Sequence, residues 1–130
     1  MAETKVYNNS SWEMVGANNV LNGTLVSSSA SAGTSVDVYK ISSVESGTYL
    51  VDGQVRMPFS SSHNQIAPQI QLRAGTDTIA YQSFPVPSGS DTLVLHLTTV
   101  MQNPSSISVG VYAPVAVSGM SGYVKAVKIG

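Results

Sequence analysis

The chain has 130 residues, no cysteine, a formal net charge of −1 and 10% charged residues. That length fits one domain with a core of its own, and the lack of cysteine excludes a disulfide framework, a thiolate zinc site and a cysteine nucleophile. The six Lys and Arg residues are scattered along the chain, which argues against a grip on a nucleic-acid backbone. No apolar run is long enough for a helical membrane span. Met1-Ala2-Glu3-Thr4-Lys5 lacks the apolar centre of a signal peptide, so no signal-directed export is expected.

Residues 5–15 read as a hairpin, two short β-favouring pieces flanking the Asn8-Asn9-Ser10-Ser11 turn cluster. Trp12, the only tryptophan, reads as an apolar plug where this arm packs, with stacking on a sugar as its competing role. Residues 16–25 leave room for one helical turn. Residues 27–35 are Ser, Ala, Gly and Thr throughout and offer nothing to anchor a core, so a flexible loop or hinge is expected. The domain reading is therefore an arm, hairpin and loop over 1–34 and a β-sandwich over 35–130, one compact domain overall.

Strands follow in quick succession. Residues 35–41 carry Val36, Val38 and Ile41, a spacing that calls for a bulge or twist near Tyr39. Over 47–57, Tyr49, Val51, Val55 and Met57 share one face with a gap at Gly53. Residues 65–73 place Ile66, Ile70 and Leu72 inward and Gln69, Gln71 and Arg73 outward, with Pro68 marking an edge or bulge. The Ala74-Gly75 turn leads into 76–84, with Ile79 and Tyr81, as a hairpin. After a Pro-punctuated loop, 92–101 is the strongest strand. Leu93, Leu95, Leu97 and Met101 line one face and Val94, His96, Thr98 and Val100 the other. Ile107, Val109 and Val111 return inward, and residues 115–117 and 123–129 close the chain. Roughly eight to ten short strands at this spacing, on the order of 8–12 residues, predict an all-β antiparallel sandwich or jelly roll.

Catalytic constellations are missing. No Gly-x-Ser-x-Gly elbow occurs, the carboxylates show no close pairing, and no phosphate loop precedes a helix. His63 sits in a polar stretch and His96 in mid-strand, so no metal site, catalytic residue or cofactor is expected. An interfacial His96 would make stability sensitive to pH. The positive signal is aromatic: Phe59 beside Pro58 and a serine run, and Phe84 before Pro85, stand where a ring serves either as a loop plug or as a ligand platform.

Three stretches carry a resemblance. Residues 46–55, with Gly47, Tyr49 and Val51, resemble the opening core strand of C1q/TNF-like jelly rolls, and 92–100 with 107–112 look like a later hairpin of that fold. The ending Gly122-Tyr123-Val124-Lys125-Ala126-Val127-Lys128-Ile129-Gly130 is similar to the last strand of bacteriophage tail-fibre and baseplate tip domains, and 5–15 resemble a short tail-protein motif. The chain lacks the aromatic-rich closing strand and collagen-like stalk of vertebrate C1q proteins. The resemblance implies a homotrimeric, non-enzymatic virion component whose receptor-binding tip attaches to host cell-wall or surface saccharide outside the cell. A strand apolar on both faces also points to a symmetric oligomer. The expected ligand contacts are Trp12, Phe59, His63, Asn64, Tyr81 and Phe84, with no metal, cofactor, nucleic acid or membrane insertion. The alternative is a capsid-decorating or tail-assembly protein whose only partners are other virion proteins.

Overall fold

The computed structural model describes residues 5–8, 11–14, 20–63, 66–87 and 89–130. The strands are β1 (Lys5–Asn8), β2 (Ser11–Met14), β3 (Val20–Asn22), β4 (Thr24–Leu25), β5 (Thr34–Ile41), β6 (Thr48–His63), β7 (Gln69–Ala74), β8 (Asp77–Ser83), β9 (Gly89–Gln102), β10 (Ile107–Ala113) and β11 (Ser121–Lys128). Among the described residues there is no helix. β1 and β2 pair with each other as the expected hairpin, Tyr7 opposite Trp12. The remaining strands form two antiparallel sheets, one ordered β4-β5-β10-β7-β8 and the other β3-β11-β6-β9. From β5 onward, every connection except the β7–β8 hairpin changes sheet. That alternation is the winding of a jelly roll, in which each strand faces a sequence neighbour across the core.

The period-2 pattern decides which faces meet. Val38, Val51, Val55, Leu72, Leu95, Val109, Val111 and Val124 are completely buried between the sheets. Apolar burial of this kind contributes roughly 25 cal/mol per Å2 and is the main force closing the sandwich. The gap at Gly53 is a contact point: a Cβ there would stand 2.7 Å from Leu72 Cδ2 and 2.8 Å from Val109 Cγ2. The opposite sheet fills the space that a side chain would take. Tyr49, 1% exposed, satisfies its hydroxyl by donating to the Glu45 carbonyl at 2.9 Å. Buried tyrosines ordinarily find such a partner.

Three expectations change. Strand pairing carries the sandwich back to Val20, not Ser35. β3 pairs with β11 and β4 with β5, and Ala30 bridges Val117 through two backbone hydrogen bonds of 2.9 and 3.0 Å. Backbone pairing needs no large side chain, so the small-residue composition of 27–35 hid it. Of the 16–25 tract in which a helical turn has room, residues 16–19 lie outside the described residues, and Val20–Asn22 and Thr24–Leu25 are strand. β6 and β9 also run past their expected ends, Phe59 pairing with Asp91 and His63 with Gly89, so the serine stretch after Pro58 extends a strand instead of forming a loop.

Candidate functional site

The outer face of the five-stranded sheet is built by alternation and one bulge. With Val38 and Leu72 turned inward, Asp37 on β5 and Gln71 on β7 turn outward. The β5–β10 register shifts between Val109 and Gly110, so that Asp37 opposes Gly110 and Tyr39 opposes Val109. Val38 is the extra residue, which places the bulge where the spacing of Val36, Val38 and Ile41 calls for one. Following the ladders outward gives one cross-strand row: Asp37 opposite Gly110, Gly110 opposite Gln71, and Gln71 opposite Tyr81. Flanking rows add Tyr112, Gln69 and Ser83 on one side and Ser108, Arg73 and Thr78 on the other.

Gly110 has a steric reason. A Cβ there would lie 2.7 Å from the Val36 carbonyl oxygen and 3.2 Å from Asp37 Oδ1. The missing side chain lets the bulged β5 approach and the Asp37 carboxylate lie across β10. Its Oδ1 accepts from the Ser108 hydroxyl at 3.1 Å and from Arg73 Nη1 at 3.4 Å. Arg73 Nη2 donates to the Thr76 carbonyl at 3.1 Å, fixing the guanidinium in place. Among the described residues, Asp37 Oδ2 has no partner.

The glutamines form an oriented chain. Gln71 Nε2 donates to Gln69 Oε1 at 2.8 Å, and Gln69 Nε2 donates to Ser83 Oγ at 3.4 Å. With the amides oriented this way, Gln71 Oε1 is left as an open acceptor. Two rings border the row: Tyr81 is 65% exposed and Tyr112 is 36% exposed. Two open acceptors on a face with two accessible rings suit a ligand rich in hydroxyl donors with a flat apolar face. Among the described residues, no group of three or more His, Asp or Glu side chains is placed to hold a metal ion.

Of the six expected contacts, Tyr81 stands on this row. Phe59 does not reach solvent: it is 3% exposed and belongs to the core, because the longer β6 turns it inward two residues after Met57. Phe84 is half-buried and packs against the core as a plug. Trp12 lies on β2 and His63 on β6, with their side chains outside the described part, and Asn64 lies outside the described residues. Tyr112, Gln69, Gln71 and Asp37 were missed as site residues. The outward set Gln69, Gln71 and Arg73 was visible as alternation, but its alignment with Asp37 depends on a long-range register. A separate cleft of about 680 Å3 is lined by the hydroxyls of Ser29, Ser31, Thr34 and Ser118 with small apolar residues. It has no ring and no charge to orient a ligand.

No protein-family model matches the chain, and no curated protein matches its sequence. Among solved structures, the crystal structure of murine APRIL superimposes with a TM-score of 0.50 at 15% identity, covering 85% of this chain and 98% of that one. A carbohydrate-binding module of a Cellvibrio mixtus lichenase, in complex with cellotriose, gives a TM-score of 0.36 at 16% identity, covering 86% and 88%. That second likeness is too slight to carry an argument. The fold itself is an all-β, C1q/TNF-like jelly roll.

Proposed function

We propose that the chain is a binding module without chemistry of its own, and that it takes a neutral saccharide on the outer face of the five-stranded sheet. The observation that carries this is the row Asp37–Gly110–Gln71–Tyr81 with Tyr112 beside it. A pyranose has an apolar ring face and a rim of hydroxyls. Stacking on Tyr81 or Tyr112 takes up the first, and the open oxygens of Asp37 and Gln71 accept from the second. Hydrogen bonds to a charged acceptor contribute more than neutral ones, about 1.5–3 kcal/mol, so Asp37 is the orienting group.

The biological setting in this reading is the one implied by the sequence resemblance. The module is a homotrimeric receptor-binding tip of a phage tail fibre or baseplate, acting outside the cell on host cell-wall saccharide beside other virion proteins. Only the resemblance supports that setting; the binding face is argued independently of it. A glycan array carrying neutral bacterial cell-wall and capsular oligosaccharides tests the proposal. Binding by the native chain, lost in Tyr81→Ala, is the expected result. Equal binding by native and Tyr81→Ala chains, or none to any saccharide, rejects it.

A further inference from the structure

The outer face of the four-stranded sheet has two unlike ends. At one end a row crosses all four strands, with Val20 opposite Val127, Val127 opposite Leu50, and Leu50 opposite Val100. Val20 is 40%, Leu50 42% and Val100 49% exposed, and Ile129, two residues after Val127, is 57% exposed. The rows toward the other end turn polar, with Lys125 opposite Asp52, Tyr123 opposite Gln54 and Ser121 opposite Arg56. An antiparallel sheet with one solvated face ordinarily turns polar residues outward. The aliphatic end therefore calls for cover, and the polar end does not.

The hairpin that opens the chain lacks what this end supplies. β1 and β2 pair with each other and, among the described residues, with no strand of either sheet. A two-stranded hairpin is marginal in water unless it packs on something apolar. The register puts Lys5, Tyr7, Trp12 and Met14 on one face and Val6, Asn8, Ser11 and Glu13 on the other. Both aromatic residues and the methionine thus fall on a single face. Aromatic residues bury about 150–250 Å2 each when they pack.

Chain connectivity selects the surface. Residues 15–19 join Met14 to Val20, and Val20 is itself the first member of the aliphatic row. Six Cα steps reach at most about 20 Å, which holds the hairpin near the end of the molecule where that row lies. The sizes also match. A four-residue strand is about 13 Å long, and the row spans about 14 Å across three strand spacings.

We infer that the β1–β2 hairpin docks on this end of its own molecule, laying its Tyr7–Trp12 face over the Val20–Val127–Leu50–Val100 row. Trp12 is then the plug of an internal contact and not a ligand platform, while Gln54 and Arg56 stay open to solvent. The contact is independent of saccharide binding on the five-stranded sheet and asks nothing of a second copy.

Trp12 is the only tryptophan, so its emission reads the contact directly. In the native chain it should emit to the blue of a solvent-exposed indole and resist quenching by acrylamide. Leu50→Glu/Val100→Glu should move the emission to the red and raise quenching several-fold. Because the sequence has no cysteine, Val100→Cys supplies a second reading that tolerates a poorly folding double variant. Maleimide should label Val100→Cys several-fold faster once Tyr7→Ser/Trp12→Ser is added, to the same extent in dilute and concentrated solution. Val94→Cys, at the polar end of the same strand, should label at one rate with or without the hairpin substitutions. A solvent-exposed emission from the native chain overturns the inference, as does labelling of Val100→Cys that ignores Tyr7 and Trp12. Protection of Val100→Cys only at high concentration assigns the row to a second copy and overturns it too. Quenching of Trp12 that responds to Tyr81→Ser instead of the Leu50/Val100 variant places the hairpin on the other sheet, with the same consequence.

Discussion

Asp37 on β5 and Tyr81 on β8 occupy one cross-strand row, with Gly110 and Gln71 between them. At about 4.8 Å per strand the two lie roughly 14 Å apart along the row, a span suited to two or three sugar residues. One end supplies a carboxylate oxygen and the other a ring, and each has a distinct signature on substitution.

Replacing Asp37 by Asn keeps its shape and removes its charge. The Arg73 contact is a long, part-exposed one at 3.4 Å, so its loss should change stability by less than about 1 kcal/mol. Saccharide affinity should fall about tenfold, the loss of a charge-assisted hydrogen bond. Calorimetric titration alongside a thermal melt separates the two effects.

Gly110→Ala pushes a methyl toward the Val36 carbonyl and Asp37 Oδ1. Because the first contact is backbone, the bulge must shift, at a cost of about 1–3 kcal/mol. Urea unfolding should show the loss, with the ligand affinity reduced as well because the carboxylate is displaced. An unchanged midpoint would mean that β5 is free to move at this point.

Phe59→Ala should behave as a core truncation, destabilising by about 3–5 kcal/mol. Chains that remain folded at low temperature should bind saccharide with native affinity. Affinity lost without loss of stability would return Phe59 to the ligand site.

Tyr123 holds its proton more tightly than a free tyrosine, first because burial disfavours the phenolate and then because the Asp52 charge and hydrogen bond add to it. A pKa raised in the folded state contributes stability that is complete below the unfolded value, near 10. That stability is lost as pH rises through the higher folded value. Thermal melts between pH 9 and 11.5 should therefore fall more steeply for the native chain than for Tyr123→Phe.

Much of this fold was legible in the sequence, because alternation over 47–57, 92–101 and 107–111 sorts residues by face with no knowledge of their partners. The buried sets Tyr49, Val51, Val55, Met57 and Ile107, Val109, Val111 came from that alternation alone. Ala30 was hidden because a bridge to Val117 needs only backbone. Phe59 was misplaced because Pro58 and the serines after it carry turn-forming preferences, while pairing with β9 holds them in a strand. The candidate row was the least accessible part. Asp37, Gly110, Gln71 and Tyr81 come from four strands distant in sequence, and only the register brings them into line.

The most direct test of the ligand face is amide chemical-shift mapping of the native chain titrated with a neutral oligosaccharide of the host cell wall. Saturable shifts are predicted at residues 35–37, 69–73, 79–83 and 108–112, with the four-stranded face unperturbed by ligand. Shifts centred on the Ser29–Ser118 cleft or on Leu50 and Val100, or no shifts at millimolar saccharide, would contradict it.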